Sequence, residues 1–449
     1  MKFIDVEEME NIAEEDLKKL YKQHCNPALQ KLFRYAGIDM IFSRASGMEV
    51  YDSVGNGYLD FIGGFGALNI GHNDGRILKA INDFSYKPNL LQIAERPAEA
   101  ILANNISYLT DDEFPYCVFT SSGTEAVEEA IKLALLYNRS GNIIYFSGAY
   151  HGKTMGSISA LGDKAKDSYD PLMPNFIEVP YGDIAAVRKV IEEAEVSAIL
   201  AEPIQGEGGI IIPPEGFFKE LRKVCNKEDI ILIMDEIQTG LGRCGSMFYY
   251  EQLGILPDII CLAKSLSGGF IPIGCMCVEP ILWQETYGKM KNASLISNTF
   301  GGNNLACIAA IKTLSIIQEE KLAGKANELG IYALGLLNEV KNRHRNIIKK
   351  VRGKGLLIGI EFNDLKGVIP AKTMEMMMST VICKLMNEYK IISSYTSNNP
   401  SVLRFEPPLI VSRNHIEYFA ESLDNVLQEE GSLFKLGLCS ARNACSLKS

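Results

Sequence analysis

The sequence predicts an α/β protein with a mainly parallel central sheet flanked by helices and a smaller α+β domain. Three observations carry that expectation. Four short runs between residues 142 and 264 are nearly continuous in Ile, Leu, Val and Met, as strands covered on both faces must be. Helical stretches separate these runs, and strands alternating with helices define the class. Beyond about residue 325 a long helical pattern leads into "VRGKGLLIGIEF" (351–362), another helix and "VLRFEPPLIVS" (402–412). The alternation persists there with fewer strands, which suits a smaller α+β unit.

The first 40 residues read as helical. The stretch 47–72 alternates apolar and polar residues around the turn signal "VGNG", which predicts a hairpin. In "GTEAVEEAIKLALLYNR" (123–139), Ala126, Val127, Ala130, Ile131, Ala134 and Leu135 fall three and four apart and form one helical stripe. The strands of the central sheet are "NIIYFS" (142–147), "VSAILAEP" (196–203), "IILIMDE" (230–236) and "DIICLAK" (258–264). The expected division is a helical segment and hairpin over 1–70 that packs with the small domain, a large domain over 71–325, and the small domain over 326–449. The poorly patterned tail from about 430 is expected to be mobile.

Composition narrows the function. The 449 residues are 47% hydrophobic and 22% charged, the profile of a soluble globular chain with a large core. The net charge is −10 and no Lys/Arg stripe is interleaved with aromatics, which argues against a nucleic-acid partner. No apolar run approaches the roughly 20 residues of a membrane helix. The acidic, amphipathic N-terminus is unlike a signal peptide, so the expected location is cytoplasmic. Eleven cysteines with no C-x-x-C pair fit buried free thiols in a reducing compartment. Cys275 and Cys277 read as small apolar residues of a strand, and no metal site is expected.

In an open α/β sheet, ligands bind beyond the carboxyl ends of the strands. Asp235 and Glu236, Lys264, Glu202 and His151 all fall at such ends. A lone strand-end lysine is usually a surface cation whose stem reaches water. Ser121, Ser122, Gly123 and Thr124 open the 123–139 helix, where free N–H groups and the helix dipole favour a phosphate. An ordinary Ser/Thr N-cap is the other reading. Lysine, aspartate and cradle together suggest pyridoxal 5'-phosphate (PLP). Its aldehyde needs a lysine, its ring nitrogen a carboxylate and its phosphate a helix N-terminus.

"AEPIQGEGGIIIPPEGFF", "DEIQTGLGRCG", "PDIICLAKSLSGGFIPIG", "NTFGGNNLAC" and "RFEPPLI" resemble the class III (omega) aminotransferases of the fold type I PLP family. That family includes ornithine, acetylornithine, 4-aminobutyrate and putrescine aminotransferases. The likeness spans roughly residues 45–425. "GGFGALNIGH", "YHGKTMGSISA", "VRGKGLLIGIEF" and "SNNPSVLRFEPPL" tilt it toward the putrescine type. The resemblance implies that Lys264 is the Schiff-base lysine and proton shuttle, that Asp235 holds the pyridinium proton, and that Gln238 contacts the ring hydroxyl. Tyr150 would stack on the ring with His151 beside it, and Ser122, Gly123 and Thr124 would hold the phosphate. Thr299 would reach the phosphate of the neighbouring subunit, implying a homodimer with shared active sites. Arg404 would clamp a substrate carboxylate, since a guanidinium matches it bidentately, and Glu207 would be the switch glutamate that pairs with it. Lys153 stands where "HGRT" provides a second arginine in the aminobutyrate and ornithine enzymes, and lysine lacks the fork.

The implied reaction moves an amino group from a terminal amine, a diamine such as putrescine or an ω-amino acid, to a keto acid such as 2-oxoglutarate or pyruvate, by a ping-pong route. An acetylornithine/ornithine-type donor is an alternative within the family. A PLP racemase, mutase or decarboxylase would share Lys264 and Asp235 yet need no Arg404/Glu207 switch.

Overall fold

The computed structural model describes residues 3–35, 38–138, 141–364 and 369–431. In chain order its strands are β1 (Phe42–Ser46), β2 (Glu49–Asp52), β3 (Gly57–Asp60), β4 (Tyr116–Thr120), β5 (Asn142–Phe146), β6 (Phe176–Val179), β7 (Val196–Ala201), β8 (Ile231–Asp235), β9 (Ile259–Leu262), β10 (Gly274–Val278), β11 (Ile348–Lys354), β12 (Leu357–Phe362), β13 (Ile391–Ile392) and β14 (Val402–Phe405). Each of the four apolar runs has become a strand.

The central sheet has seven strands in the order β4-β10-β9-β8-β7-β5-β6. The pairs from β9 through β6 are parallel, whereas β10 runs antiparallel to both β9 and β4. Every residue of β7, β8, β9 and β10 is buried, which explains the continuous apolar runs. Successive side chains take opposite faces. Ile231, Ile233, Cys261 and Met276 pack under the helix Gly123–Tyr137. Leu232, Met234, Leu262, Cys275 and Cys277 join the core under the helices Pro97–Leu109 and Asn304–Glu319.

The predicted hairpin is β2/β3, with Glu49 opposite Leu59. Its sheet takes a fourth strand, β13, from far along the chain, with Ile391 beside Leu59. The third sheet, β11-β12-β14, is antiparallel and sets Gly359 opposite Arg404. The helix Leu322–Arg343 packs on β11 and on the helix Arg413–Glu430. The predicted mobile tail lies almost wholly outside the described residues. No described helix is long and apolar enough to cross a membrane.

Candidate active site

The carboxyl ends of β8 and β9 and the N-terminus of the helix Gly123–Tyr137 converge on a cavity of about 610 Å³. Asp235, the last residue of β8, is buried. One carboxylate oxygen accepts from Ile237 N at 3.1 Å, and the other pairs with His151 Nδ1 at 2.7 Å. His151 Nε2 is buried with no partner. Glu202 holds the loop that carries His151 to its own loop. Glu202, just past β7, accepts from the backbone N–H groups of Tyr150 and Gly206, both at 2.9 Å. Burial pushes the Glu202 carboxyl up to about 7, with His151 opposing and Asp235 adding to the rise.

Lys264 follows β9 after one residue and takes a left-handed φ of 47°, a strained conformation for a side chain with a Cβ. Its Nζ reaches the cavity, where it donates to Gln238 Oε1 at 2.8 Å. Removal from water lowers the Lys264 pKa, although Glu406 and Glu207 pull it up. Gln238 passes the contact on, its Nε2 donating to Glu406 Oε1 at 2.8 Å. Glu406 then meets Arg404 Nη1 at 3.2 Å. Arg404 is fully buried, pairs also with Glu207 and lies against the Phe65 ring at 5.4 Å. Ser397 holds Glu207 in turn, its N and Oγ donating to Oε2 at 2.9 and 2.8 Å. A Cβ at Gly66 (φ 81°) would lie 2.6 Å from Glu406 Oε1, so the loop ahead of this network needs glycine there.

At the cradle, Ser122 is the N-cap and its hydroxyl accepts from Glu125 N at 3.3 Å. The Thr124 hydroxyl is already bonded to Ser157 (2.7 Å) and Thr154 (2.8 Å). A Cβ on Gly123 would sit 2.9 Å from Ile237 Cδ1 and 3.1 Å from Ala263 Cβ, so only glycine lets the helix start this close to the lysine and aspartate strands. Tyr150 is half-buried along the cavity wall, and Lys153 is exposed at its rim.

Three predicted site residues do not line the cavity: Arg404 and Glu207, which connect to it through Glu406 and Gln238, and Thr299. Thr299 lies outside its lining, exposed, with its carbonyl bonded to Gln92 Nε2. Gln238 was expected only against a ring hydroxyl, yet here it bridges Lys264 and Glu406. Glu406 and Ser397 were not foreseen. Glu406 had a readable signal, since it lies two residues after Arg404 at the end of a strand and so shares its face. Ser397 had none, because nothing local in "TSNNPS" points at residue 207.

These residues fit PLP. A carboxylate fixed by an imidazole, a partly desolvated amine and a glycine-opened helix N-terminus face one cavity, and the orphaned His151 Nε2 lies at its wall. On a mainly parallel sheet that constellation defines a fold type I PLP-dependent transferase. Residues 34–427 match the class III aminotransferases, and the chain belongs to that family. Aminotransferase PigE of Serratia sp. (strain ATCC 39006) is 33% identical over 95% of this chain, which spans only 55% of that relative's length. The ornithine aminotransferase of Toxoplasma gondii ME49 superposes with a TM-score of 0.84 at 27% identity, covering 95% of this chain and 99% of its own. A PLP-bound amine transaminase from an uncultivated Pseudomonas species gives 0.81 at 25% identity, covering 87% and 95%.

Proposed function

We propose that this chain transfers an amino group from a terminal amine, a diamine such as putrescine or an ω-amino acid, to a keto acid such as 2-oxoglutarate or pyruvate, in two alternating half-reactions. The observation that carries the reading is the buried Arg404 neutralised by Glu207 and Glu406. A donor whose far end bears no carboxylate, as in a diamine, enters beside a closed Arg404–Glu207 pair. A keto acid displaces Glu207 and puts its carboxylate on the guanidinium, a bidentate match. One site thus serves two substrates of opposite polarity. The names of the Toxoplasma and Pseudomonas enzymes support a terminal amine as donor. An ornithine-type donor is the second reading, supported by the same likeness.

Bound PLP supplies an electron sink that makes the proton on the substrate carbon bearing the amine removable. Ser122, Gly123 and Thr124 hold its phosphate, and Tyr150 covers its ring. Asp235, oriented by His151, keeps a proton on the ring nitrogen. Lys264 Nζ, whose ammonium is disfavoured by desolvation, is the group that takes the substrate's proton and returns it. Gln238 Oε1 holds that amine while it is free. Thr299 serves the phosphate of the neighbouring subunit in a homodimer.

The test offers putrescine, cadaverine, ornithine, acetylornithine and 4-aminobutyrate singly to the PLP enzyme without a keto acid. One equivalent of aldehyde per site, followed by arrest until 2-oxoglutarate or pyruvate is added, is the expected result. Continuous turnover without a keto acid, or carbon dioxide release, would instead mean a racemase, mutase or decarboxylase.

A further inference from the structure

Cys277 on β10 stands directly opposite Cys117 on the edge strand β4. Cys275 lies two residues from Cys277, so all three side chains share one face of the sheet. Their sulfurs are in mutual contact. Cys275 Sγ is 3.4 Å from Cys277 Sγ, which is 3.9 Å from Cys117 Sγ, and all three lie within 4.8 Å of one another. Cys275 and Cys277 are buried, while Cys117 is partly exposed at the sheet edge.

We propose that Cys117, Cys275 and Cys277 form a three-sulfur site for a thiophilic closed-shell metal ion, separate from the PLP cavity. A cation about 2.3 Å from each of three sulfurs spaces them about 4 Å apart in a planar triangle. The thiols reach that arrangement by side-chain shifts of well under an ångström. Among the described residues no further His, Cys, Asp or Glu atom joins the cluster. An all-sulfur set selects copper(I) or zinc-group ions and excludes magnesium and calcium. Binding replaces three S–H bonds by three metal–sulfur bonds and releases three protons. The site then carries charge −2 with a monovalent ion and −1 with a divalent one.

The site ties β4 to β10 just below the cradle, since β4 runs straight into Ser121 and a Cβ on Gly274 would strike the Ser122 carbonyl. None of the three cysteines lines the PLP cavity. Sequence spacing gave no hint of it, because Cys117 and Cys277 are 160 residues apart.

The test titrates the reduced, metal-free PLP enzyme with copper(I) and separately with cadmium(II), in a Cys25→Ser/Cys439→Ser/Cys445→Ser background that removes the thiol exposed among the described residues and the two cysteines outside them. The expected result is one ion retained per chain after gel filtration, a near-ultraviolet metal–thiolate band, and a higher Tm. Cys117→Ser and Cys277→Ser should each weaken retention at least tenfold, as loss of one of three ligands requires. Retention of copper alone identifies a monovalent site, and retention of both identifies a general soft-metal site. The visible band of bound PLP reports folding, and the partly exposed Cys117→Ser keeps the test valid should Cys277→Ser not fold. No stoichiometric retention of either ion by folded enzyme, or retention that survives Cys117→Ser, overturns the proposal.

Discussion

Arg404 has no exposed surface and two carboxylates against it, and the weaker-held of the two decides how the site answers a substrate. Burial pushes the Glu207 carboxyl up, but Arg404, the two bonds from Ser397 and the charge of Lys264 together bring it below its ordinary range. Glu207 therefore stays ionised and paired through neutral pH. Removing the Ser397 hydroxyl deletes one bond to a charged group, worth about 1–2 kcal/mol here, and frees Glu207 to leave. Ser397→Ala should thus lower the KM for the keto acid by about five- to thirtyfold while raising that for the diamine. Steady-state kinetics with each substrate varied in turn measures the split, and equal shifts would show that Ser397 does not set the switch. Arg404→Ala should do the reverse, raising the keto acid KM at least tenfold more than the diamine KM. Lys264→Ala should abolish turnover with the fold intact, and an active variant would remove the lysine from the chemistry.

The element that carries Asp235 also carries a hidden electrostatic load. Glu236, the next residue, turns away from the cavity, accepting from Tyr250 N at 2.7 Å and bonding Thr239 Oγ1 at 2.5 Å. Burial pushes its carboxyl from an ordinary 4.5 up to about 7. A carboxyl raised on folding is protonated in the folded chain while ionised in the unfolded one, so it costs stability as pH rises from about 4.5 and costs most above about 7. At about 1.4 kcal/mol per unit the cost reaches at most about 3 kcal/mol. Glu236→Gln keeps the shape, and its amide can donate to Thr239. It should raise Tm at pH 8 and leave it unchanged near pH 4.5, as thermal melts across that range would show. At this scale the sequence was most informative. Buried parallel strands need apolar residues on both faces, so β5, β7, β8 and β9 stand out, and their ends locate Asp235 and Lys264. What stayed hidden depends on strands meeting from far apart. The antiparallel pairing of β10 with β4, the register that puts Cys117 opposite Cys277 and the reach of Ser397 to Glu207 each join residues more than 150 positions apart, and no local pattern encodes such a meeting.

At the scale of the whole molecule, two segments are rich in exposed apolar side chains. Phe84, Tyr86, Ile93 and Ile101 come from one, and Met290, Leu295 and Phe300 from the other. The segments are joined where Gln92 bonds the Thr299 carbonyl. Apolar surface concentrated in this way marks a protein–protein interface, and its coincidence with Thr299 favours the proposed homodimer, in which each site borrows that residue from its neighbour. Complementation tests this arrangement directly. Thr299→Asp places a negative charge against the neighbour's phosphate, so its homodimer should lose most activity, as should the Lys264→Ala homodimer. In a mixed dimer, one site combines the intact lysine of the first variant with the intact threonine of the second, and the other site combines both lesions. Equal mixtures exchanged at random form half mixed dimers with one good site each, so activity should return to about a quarter of wild type. Tagged subunits purified as the mixed dimer should reach about half. A mixed dimer that forms, as its mass and two tags show, yet stays inactive would place Thr299 outside the neighbouring site, leaving each subunit to complete its own cradle.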